Sequence, residues 1–328
     1  MFPGTREFTS FPIPFSKWSK SHRFVNNPYI APPPTISLTA SFGPRESMIE
    51  QDVVKPGSLL GSILSLLVLS WAVAILAGLG LAPLASLAIV PFLPGILALI
   101  FPVLEGHPVE VLARPLIQQV TAPSVAIAIA YPFVLTGLAV FIALGTGLGH
   151  MAGGTGTGLA ALLVPAIVAF VYAIPSSLGQ EYGYRGYLLP ALTYWQGKTR
   201  ATLIVGAVWG AAVAPASYLL VASSGSGDPL STALLGLLLT VAIAFAFSSC
   251  YYLSGSILPV TLMNILLALA IPALLPGSWN PSGPASAALV SLTWPSPLPL
   301  LLLVALAFVP VSAWLFLAMD GVGGGDDL

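Results

Sequence analysis

Charge is what this chain has least of. Asp, Glu, Lys and Arg make up 6% of it, where about a quarter is usual for a soluble domain. With 57% of the residues hydrophobic, no single water-soluble core could hide the apolar side chains, so the composition points to an integral membrane protein. Cysteine occurs once, at Cys250 in "AIAFAFSSCYYL", which excludes an intrachain disulfide. Histidine occurs three times, at His22, His107 and His150, and never with a second histidine at i, i+4, so the zinc-helix pattern is missing. Each of the three reads as a solvated loop histidine. No G-x-S-x-G elbow marks a serine nucleophile. Of the ten Lys and Arg, six (Arg6, Lys17, Lys20, Arg23, Arg45 and Lys55) fall in the leader. The few that remain cannot form a nucleic-acid footprint. Neither a repeat of about 20 to 50 residues nor an inverted half-to-half repeat is visible.

Long uncharged gaps are abundant, and a membrane helix needs about 20 predominantly apolar residues. The gap from Pro56 to Leu104 accommodates two spans divided near Pro83. The gap from Pro115 to Gln180 accommodates two more, at 122–147 and 157–178, separated by the turn-forming "GHMAGGTGTG". Further spans are expected at 201–227, 229–253, 255–275 and 297–319, the last two flanking "PGSWNPSGP" with Trp279 as an interfacial anchor. The expected fold is an all-α polytopic bundle of about eight transmembrane helices. Lys and Arg cluster on one side of it: the leader, Arg114, Arg185, Lys198 and Arg200, against His150 and Asp228 on the other. The positive-inside bias then places both termini in the cytoplasm.

Residues 1–55 read as a flexible basic leader, extended at "YIAPPPTISL" and without the apolar region of a secretory signal. Met48 is an alternative start. Residues 56–319 form the bundle and 320–328 a short acidic, glycine-rich tail.

One stretch stands apart. "SLGQEYGYRGYLLPAL" places Glu181 and Arg185 at the end of a run, Pro115 to Gln180, that carries no formal charge. On a helix the two are i, i+4 partners in the favourable acid-first order. Two readings are open: a self-neutralising pair that pins the end of the fourth helix, or part of a functional site, since ionisable residues in a membrane are expensive.

"GQEYGYRGYLLP" resembles the first signature of the CPBP family, the CAAX-protease and bacteriocin-processing intramembrane endopeptidases. That signature has two adjacent glutamates, three residues, an arginine, a glycine and a short aromatic-leucine run. Glu181, Arg185, Gly186, Tyr187, Leu188, Leu189 and Pro190 match it, and the first glutamate is Gln180. "LIVGAVWGAAVAP" is similar to the second signature through Trp209 and Pro215, with Val213 at the histidine position. "SGSILPVTLMNILLA" resembles the third through Gly255, Ser256 and Pro259, with Asn264 and Ala268 at the histidine and asparagine positions. The resemblance covers about residues 157–272 and implies an eight-helix bundle whose cavity opens to the cytosol.

The resemblance also implies chemistry that these residues do not supply. Family members activate a water with the first glutamate and the two histidines, and the asparagine holds the oxyanion or, in some accounts, a divalent metal. Such hydrolysis needs a proton acceptor working near neutral pH and donors aimed at the developing oxyanion. Gln180 is no carboxylate base, Val213 has no polar side-chain atom, Asn264 is no imidazole and Ala268 lacks the amide. A carboxylate metal site would need a second acid, so no metal or other cofactor is expected. The favoured expectation is a non-proteolytic member that binds lipid, a hydrophobic peptide or a membrane-protein partner. The alternatives are an endopeptidase with an altered site around Glu181 and Asn264, and, less favoured, a transporter, which would show polar residues and broken helices at matched positions.

Overall fold

The computed structural model describes residues 54–107, 109–147, 149–151, 159–225, 228–274, 290–292 and 308–317. Nearly all of them are helical. Helix α1 (Pro56–Gly78) is followed by a 3-10 segment (Leu84–Phe92) that runs directly into α2 (Leu93–Glu105). After α3 (Val109–Ile117) and α4 (Ala122–Gly145) comes β1 (Gly149–Met151). Helix α5 (Leu159–Glu181) continues through a π-helical stretch (Tyr182–Leu188) into α6 (Leu189–Gln196). Helices α7 (Lys198–Ser224), α8 (Pro229–Tyr252) and α9 (Ile257–Leu274) follow, then β2 (Val290–Leu292) and α10 (Phe308–Leu317). The two three-residue strands pair antiparallel, with His150 opposite Ser291.

Five of these helical runs are long and apolar enough to cross a membrane: 56–78, 84–105, 122–145, 198–224 and 229–252. Their outward faces carry Leu64, Val68 and Ile75 on α1, Phe133 and Phe141 on α4, and Leu234 and Leu238 on α8, all exposed. Large apolar groups turned outward in rows suit a hydrocarbon surrounding rather than water.

Small residues let the helices approach closely. The G-x-x-x-G pair Gly206 and Gly210 of α7 lies against α8, where an added Cβ on Gly206 would sit 2.9 Å from the Cα of Val241 and one on Gly210 2.9 Å from that of Leu237. A second such pair, Gly179 and Gly183, faces α2. A Cβ on Gly95 would come 2.7 Å from the Gly179 carbonyl, and one on Gly183 would collide with Pro94.

Prolines inside helices set carbonyls free, and distant side chains take them up. Pro215 in α7 cannot donate to Ala211, and the indole Nε1 of Trp71 on α1 donates to that carbonyl at 2.9 Å. Pro91 in the 3-10 segment leaves Ala88, whose carbonyl accepts from the Tyr172 hydroxyl at 2.9 Å. The Trp71 bond and the contact of Gly78 with Leu219 make α1 and α7 run parallel. The 2.7 Å hydroxyl pair of Thr193 and Tyr252 sets the end of α8 beside the start of α7. Lys55, Lys198 and Arg200 therefore share one end of the bundle, and Asp228 lies at the other.

Three sequence expectations change. The helix expected at 157–178 does not end before the motif; it runs helically to Gln196, with Gly183 packed against Pro94 and Gly186 beside Pro115 and Ile257. The connection after the second span contains α3, which Pro115 and its brevity conceal. His107 is no solvated loop residue: its Nε2 sits 3.2 Å from Glu105 Oε2, with both side chains largely buried. His22, the turn around Trp279, the tail 320–328 and all but the last two residues of the leader lie outside the described residues.

Candidate functional site

Glu181 closes α5 and Arg185 lies in the π-helical stretch that follows. A π-helix bonds i to i+5 and occurs mostly as short bulges inside α-helices, frequently at functional sites. Its wider turn keeps residue i+4 above residue i, and the expected pair forms. Arg185 Nη1 donates to Glu181 Oε1 at 3.3 Å and lies 3.1 Å from Oε2. Both side chains are fully buried. The stretch is fixed from three sides: Gly183 against Pro94, Gly186 beside Pro115 and Ile257, and the Tyr182 hydroxyl donating to the Leu112 carbonyl at 2.8 Å.

Asn264 completes the cluster. It projects from α9, and its Nδ2 donates to Glu181 Oε1 at 2.7 Å, with 7% of the residue exposed. The first and third motif stretches thus meet at one carboxylate oxygen. The second stretch meets them at the arginine. The Arg185 guanidinium carbon lies 4.7 Å from the ring centroid of Trp209, 4.9 Å from that of Phe247 and 5.8 Å from that of Tyr184. Nε and Nη2 find no hydrogen-bond acceptor among the described residues. Negative ring faces therefore supply much of what holds the cation, a contribution of about 2 kcal/mol or more when desolvated.

The remaining sequence-selected positions lie near this cluster in the chain but carry no bond into it. Gln180 is half-buried next to Glu181. Val213 is half-buried one turn beyond Trp209 on α7 and packs on the apolar core. Ala268 is exposed one turn beyond Asn264 on α9. Tyr184 and Phe247 were not selected from the sequence. Tyr184 adjoins Arg185, which is a weak signal; Phe247 lies in an apolar run with nothing to distinguish it.

Residues 159–270 match the family model described as type II CAAX prenyl endopeptidase Rce1-like. That segment contains all three motif stretches up to Ala268, and the resemblance read from them is borne out. No curated protein matches the chain. The match and the apolar helices together make this a membrane protein with a CAAX-protease-like segment.

Proposed function

We propose that this chain is a non-proteolytic relative of the CAAX-type membrane endopeptidases, one that keeps their bundle to bind a membrane partner: lipid, a hydrophobic peptide or another membrane protein. The observation that carries the reading is the state of Glu181. Its carboxylate is fully buried, one oxygen accepts from both Arg185 and Asn264, and the other lies 3.1 Å from the guanidinium. A carboxylate so engaged is poorly placed to take a proton from water. Gln180, Val213 and Ala268 offer no second base, and neither Val213 nor Ala268 has a side-chain donor for an oxyanion. The donor set also fits a divalent metal poorly. A single carboxylate with a cation beside it and one amide already spent on it cannot supply the several anionic or imidazole ligands such an ion needs, and no cluster of three His, Cys, Asp or Glu occurs among the described residues.

The finer architecture is part of the proposal: eight spans within 56–319, a family-like core at 157–272, a leader at 1–55, a tail at 320–328 and both termini in the cytoplasm. Lys55, Lys198 and Arg200 at one end of the bundle support that orientation. The altered-site endopeptidase is the second reading, favoured by the direct Asn264–Glu181 bond. Incubating the purified protein with prenylated CAAX peptides and hydrophobic peptide pools separates the two. The proposal expects no cleavage, with or without chelator; turnover that Glu181→Gln abolishes would establish the altered site instead.

A further inference from the structure

The exposed aromatic side chains divide by what their polar tips do. Among the described residues, six Tyr and Trp side chains turn much of their surface outward: Trp71, Tyr172, Tyr194, Trp195, Tyr218 and Trp314. Two have spent the tip inside the protein, Trp71 on the Ala211 carbonyl and Tyr172 on that of Ala88, each at 2.9 Å. The other four make no hydrogen bond from the tip to any described residue. An indole N–H or phenol O–H turned unsatisfied into hydrocarbon is costly. Those four tips therefore need water or headgroups within reach, and the other two do not.

Their heights agree with this division. Tyr194 and Trp195 end α6, edge to face at 5.1 Å, just before α7 begins at Lys198. Tyr218 lies about 30 Å further along α7 at 1.5 Å per residue, which is about the thickness of a bilayer's hydrocarbon core. The exposed positions of α7 change character at the same places: Thr199 and Arg200 at its start, Leu203 and Ala207 between, Ser223 and Ser224 beyond Tyr218. Trp314 on α10 belongs near the first level, since Phe316 meets the ring of Tyr252 at the end of α8. Trp71 falls between the levels, because its partner Ala211 is about 10 Å short of Tyr218 along α7. Tyr172 does so too. It stands about 14 Å beyond Glu181 on α5, and the partner of Glu181, Asn264, is about 10 Å into α9.

We infer that Tyr194, Trp195 and Trp314 at one end of the bundle, and Tyr218 at the other, are the surfaces that contact phospholipid headgroups, while Trp71 and Tyr172 contact acyl chains between them. A ring with an open polar tip is accommodated at headgroup level, where one end is apolar and the other wet. A ring whose tip is already bonded to a proline-freed carbonyl presents only apolar surface outward, and hydrocarbon suits it. The inference rests on α7 crossing the bilayer, which cysteine labelling at its two ends tests separately, and does not depend on whether the protein cleaves peptides.

The test is tryptophan fluorescence of the full chain in phosphatidylcholine nanodiscs, with a nitroxide carried either on the choline headgroup or near the end of the acyl chain. Trp195→Phe should remove a component quenched by the headgroup nitroxide, and Trp71→Phe one quenched by the acyl-chain nitroxide. Tyr218→Trp should add a component of the headgroup kind. That variant leaves every native tryptophan and the Trp71 bond in place, so it reads the outer level even if Trp71→Phe fails to fold. A Tyr218→Trp component quenched chiefly from the acyl chain would overturn the inference, as would a Trp71 component quenched chiefly from the headgroup. So would a Trp195 component reached by aqueous iodide and by neither nitroxide, which would place that turn clear of the membrane.

Discussion

Glu181, Arg185 and Asn264 are best understood by what each would leave behind. Removing one partner of a buried ion pair strands the other charge, at about 3 to 5 kcal/mol. Glu181→Gln should therefore lower the thermal midpoint in detergent more than Glu181→Gln combined with Arg185→Gln. Equal losses would show that the pair is not coupled. Asn264→Ala removes a hydrogen bond to a charged acceptor and should cost about 1.5 to 3 kcal/mol, with less effect in the Glu181→Gln background. The ion pair was legible in the sequence because charge is so rare that an acid and a base four residues apart cannot be overlooked. The meeting of Asn264 with Glu181 was legible only through the motif resemblance, since the bond joins residues 83 positions apart. The aromatic faces around Arg185 were hidden too: Trp209 entered through motif spacing, while Phe247 is one apolar residue among many.

Among the elements, prolines and small residues decide how the helices meet. If Trp71 donates to Ala211 because Pro215 cannot, then Trp71→Phe should cost about 1 kcal/mol, and much less in a Pro215→Ala background, where the backbone takes that carbonyl back. A double-mutant cycle measured by thermal unfolding reads this coupling directly. Gly183→Ala should be harsher, because its Cβ would strike the backbone of Pro94; overpacking of this kind costs about 1 to 3 kcal/mol. At the other end of the bundle, Asp228 caps α8 by accepting from the Ser231 amide at 2.9 Å. Hydrogen bonds from Ser231 hold its carboxyl below the ordinary aspartate value. Its folded value lies under its unfolded one, so the cap contributes fully above the ordinary range and is lost as pH falls through the depressed value. The acid limb of a thermal-midpoint profile should flatten in Asp228→Asn, and an unchanged limb would assign it elsewhere. The helices themselves were legible from uncharged gaps, to within a few residues at 229–252 and 198–224. The run through the motif to Gln196 was not, because the uncharged gap that marks the span stops at Gln180, and only the structure shows the charges of Glu181 and Arg185 buried within a continuing helix.

For the whole molecule the questions are orientation and chemistry. In a Cys250→Ser background, cysteines at Thr199 and Gly225 should label from opposite sides, the first from the cytoplasm; labelling from one side would refute the crossing of α7. The central claim is that the bundle has kept its endopeptidase-like frame and lost its chemistry. A missing general base forfeits about 100- to 10,000-fold in rate and a missing oxyanion donor about another 100- to 1,000-fold. The most direct measurement is a turnover assay of the purified natural sequence with prenylated CAAX peptides, run beside Glu181→Gln. The account predicts no cleavage above background in either protein, whereas clear turnover by the natural sequence that disappears in Glu181→Gln would contradict it.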